Sequence, residues 1–160
     1  MTGRAGITLT ADVLLNDIED ALAFMGVVIP GGDMTFANTL RGDERVLALL
    51  EVFNRQQRLC CGMGEGSLVL KEAGVLYGRK YAAPPHLKGE LPNCTADVAV
   101  RVDEHVLTCQ GGGTSLECSL AIVELYRGQE FALRTARYMR YPRLETEEIQ
   151  LLAPVYDEQL

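Results

Sequence analysis

The residues with chemistry to offer gather in one short stretch. Arg58 to Gly66 reads RLCCGMGEG, in which two adjacent cysteines run into a glycine-rich turn carrying the carboxylate of Glu65. A thiol is a nucleophile only as its thiolate, so cysteines here are either reactive groups or small buried hydrophobes. In an extended segment Cys60 and Cys61 send their side chains to opposite faces, which makes a disulfide between them strained. Oxidation of the individual thiols stays open to them. Glu65 also admits two readings, a carboxylate at a site or an acid interacting with a helix dipole. The chain has five cysteines and two histidines but no CxxC or HxxxH spacing, which argues against zinc. No metal and no cofactor are expected.

Bulk properties narrow the context. At 160 residues the chain is long enough for one domain with a real core and too short for two comfortable ones. A net charge of -7 argues against a nucleic-acid partner, because phosphate affinity needs clustered Lys and Arg. No run approaches the roughly 18 apolar residues of a membrane span. The start MTGRAGITLT lacks the apolar core of a secretory signal. An odd number of cysteines cannot all pair within one chain, and together these points suggest a cytoplasmic protein.

The elements that would position the turn alternate in type. Gly26 to Pro30, GVVIP, is a short β-branched run read as a buried parallel strand that ends in Gly31-Gly32. Arg45 to Asn54 places Val46, Leu49, Leu50 and Phe53 at helical spacing. A strand over Arg58 to Cys61 enters the glycine turn, a helix follows from Ser67 to Glu72, and Gly74 is placed to cap it. Further strand-like pieces lie at Lys80 to Ala83, Asp97 to Val102 and Val106 to Cys109, the last two forming a hairpin. A helix from Thr114 to Arg127 starts after Gly111-Gly112-Gly113, with Thr114 as its N-cap, and after Gly128 helical spacing resumes over Glu130 to Arg140. Residues 1–140 read as one domain, and 141–160 as an acidic, proline-punctuated extension.

Strands alternating with helices indicate a mostly parallel sheet covered on both faces, whose sites lie beyond the carboxyl ends of the strands. Three glycine turns follow strands in this reading. Each alone is explained by a tight strand-to-helix connection, whereas three at one edge suggest backbone approaching something closely. Gly31, Gly32, Gly64 and Gly112 are the backbone positions expected to line that edge.

In order, VVIPGG, Asn38, LCCGMGEG, KEAGVLYGRK and VLTCQGGGTSLECSLAIVELYRG resemble the ThiJ/PfpI superfamily, which includes the Parkinson-disease protein deglycase and bacterial relatives. The likeness covers roughly Gly26 to Gly128, with a weaker match over Ile7 to Ala21. It implies an α/β, flavodoxin-like (class I glutamine amidotransferase-like) three-layer sandwich and a homodimer. It also implies a cysteine thiolate at the tip of the strand-to-helix elbow, a glutamate from an early helix beside it and a histidine in a following loop. The activities it suggests are hydration of glyoxal or methylglyoxal, protein deglycation, chaperone activity and oxidative-stress sensing.

Position by position, the resemblance does not deliver that chemistry. Counting 31 residues on from Gly32 puts Met63 at the elbow tip, the nucleophile position. A thioether has no ionisable proton, so Cys61, two residues back, is the alternative thiol. Pro84 occupies the histidine position, leaving His86 two residues on. The opening strand–helix that would carry the glutamate is absent, so the chain reads as N-terminally truncated with respect to the family. Three resolutions are open: another chain or subunit fills that slot, the strands close up around Ile7 to Leu9, or the 160-residue chain is part of a longer natural product. The function expected is that of a catalytically degenerate binding, scaffold or stress-response protein. A cysteine-dependent glyoxalase or deglycase acting on a small carbonyl compound, with His86 or Glu65 as base, and a redox-sensing thiol protein are the alternatives.

Overall fold

Among the described residues four strands form one sheet in the order β1-β2-β4-β3. They are β1 (Gly26–Ile29), β2 (Leu59–Met63), β3 (Val100–Asp103) and β4 (Val106–Cys109). β1, β2 and β4 run parallel, with Val27 opposite Cys60 and Cys60 opposite Val106, while β3 joins β4 as an antiparallel hairpin. The computed structural model describes residues 3, 6–95 and 98–142.

The helices form the two outer layers. α1 (Met34–Arg41), α2 (Glu44–Arg55) and α3 (Gly66–Glu72) lie on one face of the sheet, α4 (Ser115–Arg127) on the other, and α5 (Gln129–Tyr138) packs on α4. This is the three-layer, flavodoxin-like arrangement expected of alternating strands and helices. Asp33 and Asp43 start α1 and α2 by accepting the backbone N–H groups of Phe36 and Arg45 at 2.9 and 3.0 Å.

Side-chain alternation in β2 divides the core. Cys60 joins Leu50, Phe53, Leu68 and Leu70 beneath α2 and α3, whereas Leu59 and Cys61 join Leu107, Ala121 and Leu125 beneath α4. Gly66 opens α3 against the end of β1, where an added Cβ would stand 2.4 Å from the Ile29 carbonyl oxygen. The third glycine of RLCCGMGEG is therefore a packing requirement between strand and helix.

Several local expectations are corrected. Lys80 to Ala83 is not a strand: it contributes one isolated bridge, Tyr81 to Cys94. The Ala82 N–H donates to the Thr108 hydroxyl at 2.8 Å instead of to a ladder, and Pro84-Pro85 then ends any extension of it. α4 begins at Ser115 with Thr114 at its N-cap position as expected, but the Thr114 hydroxyl makes no capping bond and donates back to the Gly111 carbonyl at 2.9 Å. α1 has no counterpart in the sequence reading. The hairpin's first strand begins at Val100, while Asp97 lies outside the described residues. Ile7 and Leu9 are exposed, and neither belongs to one of the four strands. Of the acidic extension, only Tyr141 and Pro142 are described.

His105 sits buried at the amino end of β4, its Nε2 2.8 Å from the Asn54 side-chain oxygen. Burial, and then the nearby Arg79, hold its pKa below the usual 6.5 against the opposing pull of Glu104 and Asp103. A histidine whose folded pKa is depressed stabilises the fold above its unfolded pKa, and that contribution is lost as pH falls below it.

Two outcomes follow. Gly66→Ala forces strand and helix apart and should cost about 1–3 kcal/mol of unfolding free energy in urea titration. The urea midpoint should drop between about pH 7.5 and about pH 5.5, and His105→Gln should flatten that drop.

Candidate functional site at the carboxyl edge of the sheet

The register brings three turns to one place. Ile29 pairs with Gly62 and Met63 with Cys109, so the chain leaving β1, β2 and β4 emerges at the same edge. The turns touch through backbone. A Cβ on Gly64 would meet the Gly111 Cα at 3.4 Å and the Gly31 Cα at 3.8 Å, and one on Gly111 would meet the Gly64 Cα at 2.9 Å. Gly64 and Gly111 also adopt φ of 56° and 80°, a region that favours glycine. Close approach is thus satisfied by the turns packing on each other.

Not every glycine singled out from sequence belongs to this contact. Gly32 faces the Phe36 ring of α1, where a Cβ would stand 2.7 Å from Cδ1. A Cβ on Gly112 would meet nothing within 4 Å, and the glycine that packs at the edge is its neighbour Gly111. Sequence reasoning missed Gly111 because position within a run of three glycines carries no signal of which one touches another turn.

Met63 ends β2 and is half-buried, packing against the cluster beneath α4. Glu65 precedes the first residue of α3 without capping it, and its Oε1 lies 3.2 Å from His86 Nε2. Its Oε2 reaches within 3.9 Å of the place a Cβ on Gly31 would take. His86 sits in a short turn, Pro85–Leu87, and its side chain is exposed. Two residues proposed separately from sequence, 21 positions apart, are therefore a carboxylate–imidazole pair beside the elbow. Such a pair can hold or pass a proton and can hydrogen-bond a polar ligand.

The thiols lie elsewhere. Cys61 is fully buried within β2, its Sγ 3.6 Å from that of Cys118 on α4. Cys109 adjoins the same group, and a hydrogen bond with Cys118 and then burial push its pKa up. The Cys118 thiol is lowered by its bond with Cys109, but its bond with Cys61 and burial outweigh this and leave it raised. On the opposite face burial pushes Cys60 up to about 12. Five free cysteines are thus mostly core groups, with only Cys94 partly exposed. Helical residue Cys118 meeting β2 and β4 is a contact of high sequence separation, which no local pattern announces.

A parallel sheet with an elbow after its central strand, flanked by glycine turns from both neighbours, defines a class of α/β proteins with a site at the strand ends. The sequence profile of the DJ-1/PfpI family matches residues 1–125, and the chain belongs to that family. It is 32% identical over 135 residues to Protein DJ-1 homolog B of Arabidopsis thaliana, covering 82% of this chain and 30% of that protein. Protein DJ-1 homolog A of the same plant is 31% identical over 134 residues, covering 79% of this chain and 33% of that protein. The chain therefore spans about a third of the length of these curated relatives. Among solved structures, Drosophila melanogaster DJ-1beta superposes with a TM-score of 0.80 at 26% identity, over 87% of this chain and 75% of that one. Among the described residues no helix is long and apolar enough to cross a membrane.

With four of the five thiols buried in the core, iodoacetamide at neutral pH should label Cys94 first. Cys60, Cys61, Cys109 and Cys118 should react about tenfold or more slowly than they do in the urea-unfolded chain, as read by mass spectrometry.

Proposed function

We propose that this DJ-1/PfpI protein has lost the thiolate chemistry of its elbow and works as a binding or scaffold protein. In this reading the edge around Gly31, Gly64 and Gly111 takes a small polar carbonyl compound, which Glu65 and His86 hydrogen-bond without turning over. The setting is the cytoplasm, as a homodimer, in a stress response. The observation that carries the reading is Met63 at the end of β2, with Cys61 fully buried and turned toward Cys118. A thioether has no proton to lose, and a thiol sealed beneath a helix has no path to a substrate. The carboxylate–imidazole pair supports retention of a binding site, since it joins the elbow to the loop that follows.

The test is methylglyoxal consumption by the purified protein. The expected rate equals the uncatalysed background, and Cys61→Ser changes nothing. Met63→Cys should add one thiol that labels faster than Cys60 and Cys61, because the end of β2 is only half-buried where they are fully buried. Clear turnover by the unaltered protein that Cys61→Ser abolishes would instead establish a cysteine-dependent glyoxalase or deglycase.

A further inference from the structure

We propose that the solvent side of α5 is a docking surface and that its occupant is the acidic segment 144–160 of the same chain. α5 packs on α4 and buries Ala132 and Ala136. Helical spacing places Arg134, Arg137 and Tyr138 together on the opposite side, and all three are exposed, Tyr138 by 89%. Met139, just past the helix, is exposed as well. The guanidinium groups of Arg127 and Arg134 both lie over the Phe131 ring, at 4.6 and 4.7 Å from its centre, which gathers positive charge at the junction of the two helices. Among the described residues no carboxylate forms an ion pair with Arg127, Arg134, Arg137 or Arg140. From Arg127 to Arg143 five arginines stand against one glutamate, in a chain whose net charge is -7. Charge of one sign gathered this way repels itself and attracts an anion.

Sequence and backbone together select the occupant. The Arg140 N–H donates to the Arg137 carbonyl at 3.1 Å and the Tyr141 N–H to the Ala136 carbonyl at 2.9 Å, with Arg140 at φ 57°. That pair of bonds around a left-handed residue is a Schellman motif, which turns the chain off the axis of α5 beside its last turn. Residues 144–160 hold five carboxylates, at Glu145, Glu147, Glu148, Asp157 and Glu158, and no basic residue. The ten residues of α5 rise about 15 Å, a length that about five extended residues cover. Glu145 to Glu148 therefore come within reach of Arg137 and Arg134, and the apolar Ile149, Leu151 and Leu152 that follow suit Tyr138 and Met139. A single exposed ion pair is weak, but several on one tethered segment act together at a high effective concentration. A separate polyanion lacks that tether and meets the net charge of -7.

The test is phenylglyoxal labelling of arginines in the full chain, read by mass spectrometry. At low salt Arg134 and Arg137 should label about fivefold or more slowly than in the variant Glu145→Gln, Glu147→Gln, Glu148→Gln. Arg55, exposed on α2, should label alike in both. About 1 M sodium chloride should bring the two chains to the same rate, because it screens exposed charges. Replacing the same three glutamates by Asp should keep the slow rate, since the charges remain. Equal rates in the two chains at low salt, or slow labelling that persists in about 1 M salt, overturn the proposal. Slow labelling that disappears on about tenfold dilution overturns it equally, by making the segment of a second copy the occupant.

Discussion

Everything at the candidate site follows from the central position of β2. A strand with ladder partners on both sides and helices over both faces has one freedom left, the parity of its side chains. Leu59 and Cys61 must face α4, and Cys60 must face α2. Shifting the strand by one residue would exchange the two sets and bring Gly62 out of the pocket in which Leu70 and Ser67 leave no room for a Cβ. With that register held from both sides, the residue that ends the strand is Met63, and the thiols are committed to the interior.

The same constraint explains why four of the five cysteines are core residues. Cys61, Cys109 and Cys118 meet beneath α4, where a small, polarizable sulfur fills space that a larger side chain would overpack. At Cys109 and Cys118 hydrogen bonding among the thiols and burial penalise the thiolate, so the packing that recommends cysteine also disfavours its charged form.

At the edge itself, backbone contact dominates. Gly31, Gly64 and Gly111 bring three turns together so closely that side chains are excluded between them, which leaves the first side chains beyond the glycines to define the surface. Glu65 and His86 are those side chains on one side, held together across the elbow. Among the described residues the sheet ends at β1, the strand that leads into Gly31, and Val28 on it is 44% exposed.

The strands GVVIP and Arg58 to Cys61, the helix beginning near Ser67 and the long helix ending at Gly128 were legible in the sequence, because hydrophobic period and glycine punctuation are local signals. So was the family, since its motifs recur in order, and so was the elbow itself. Lys80 to Ala83 misled, because β-like composition does not reveal that Thr108 takes its N–H and two prolines follow. The pairing of Glu65 with His86, the choice of Gly111 over Gly112, and the meeting of Cys61 with Cys118 were decided only by the tertiary structure. Each depends on which residues distant in sequence arrive at the same edge or face. That is set by strand order and register, quantities that the pattern of a single segment does not contain.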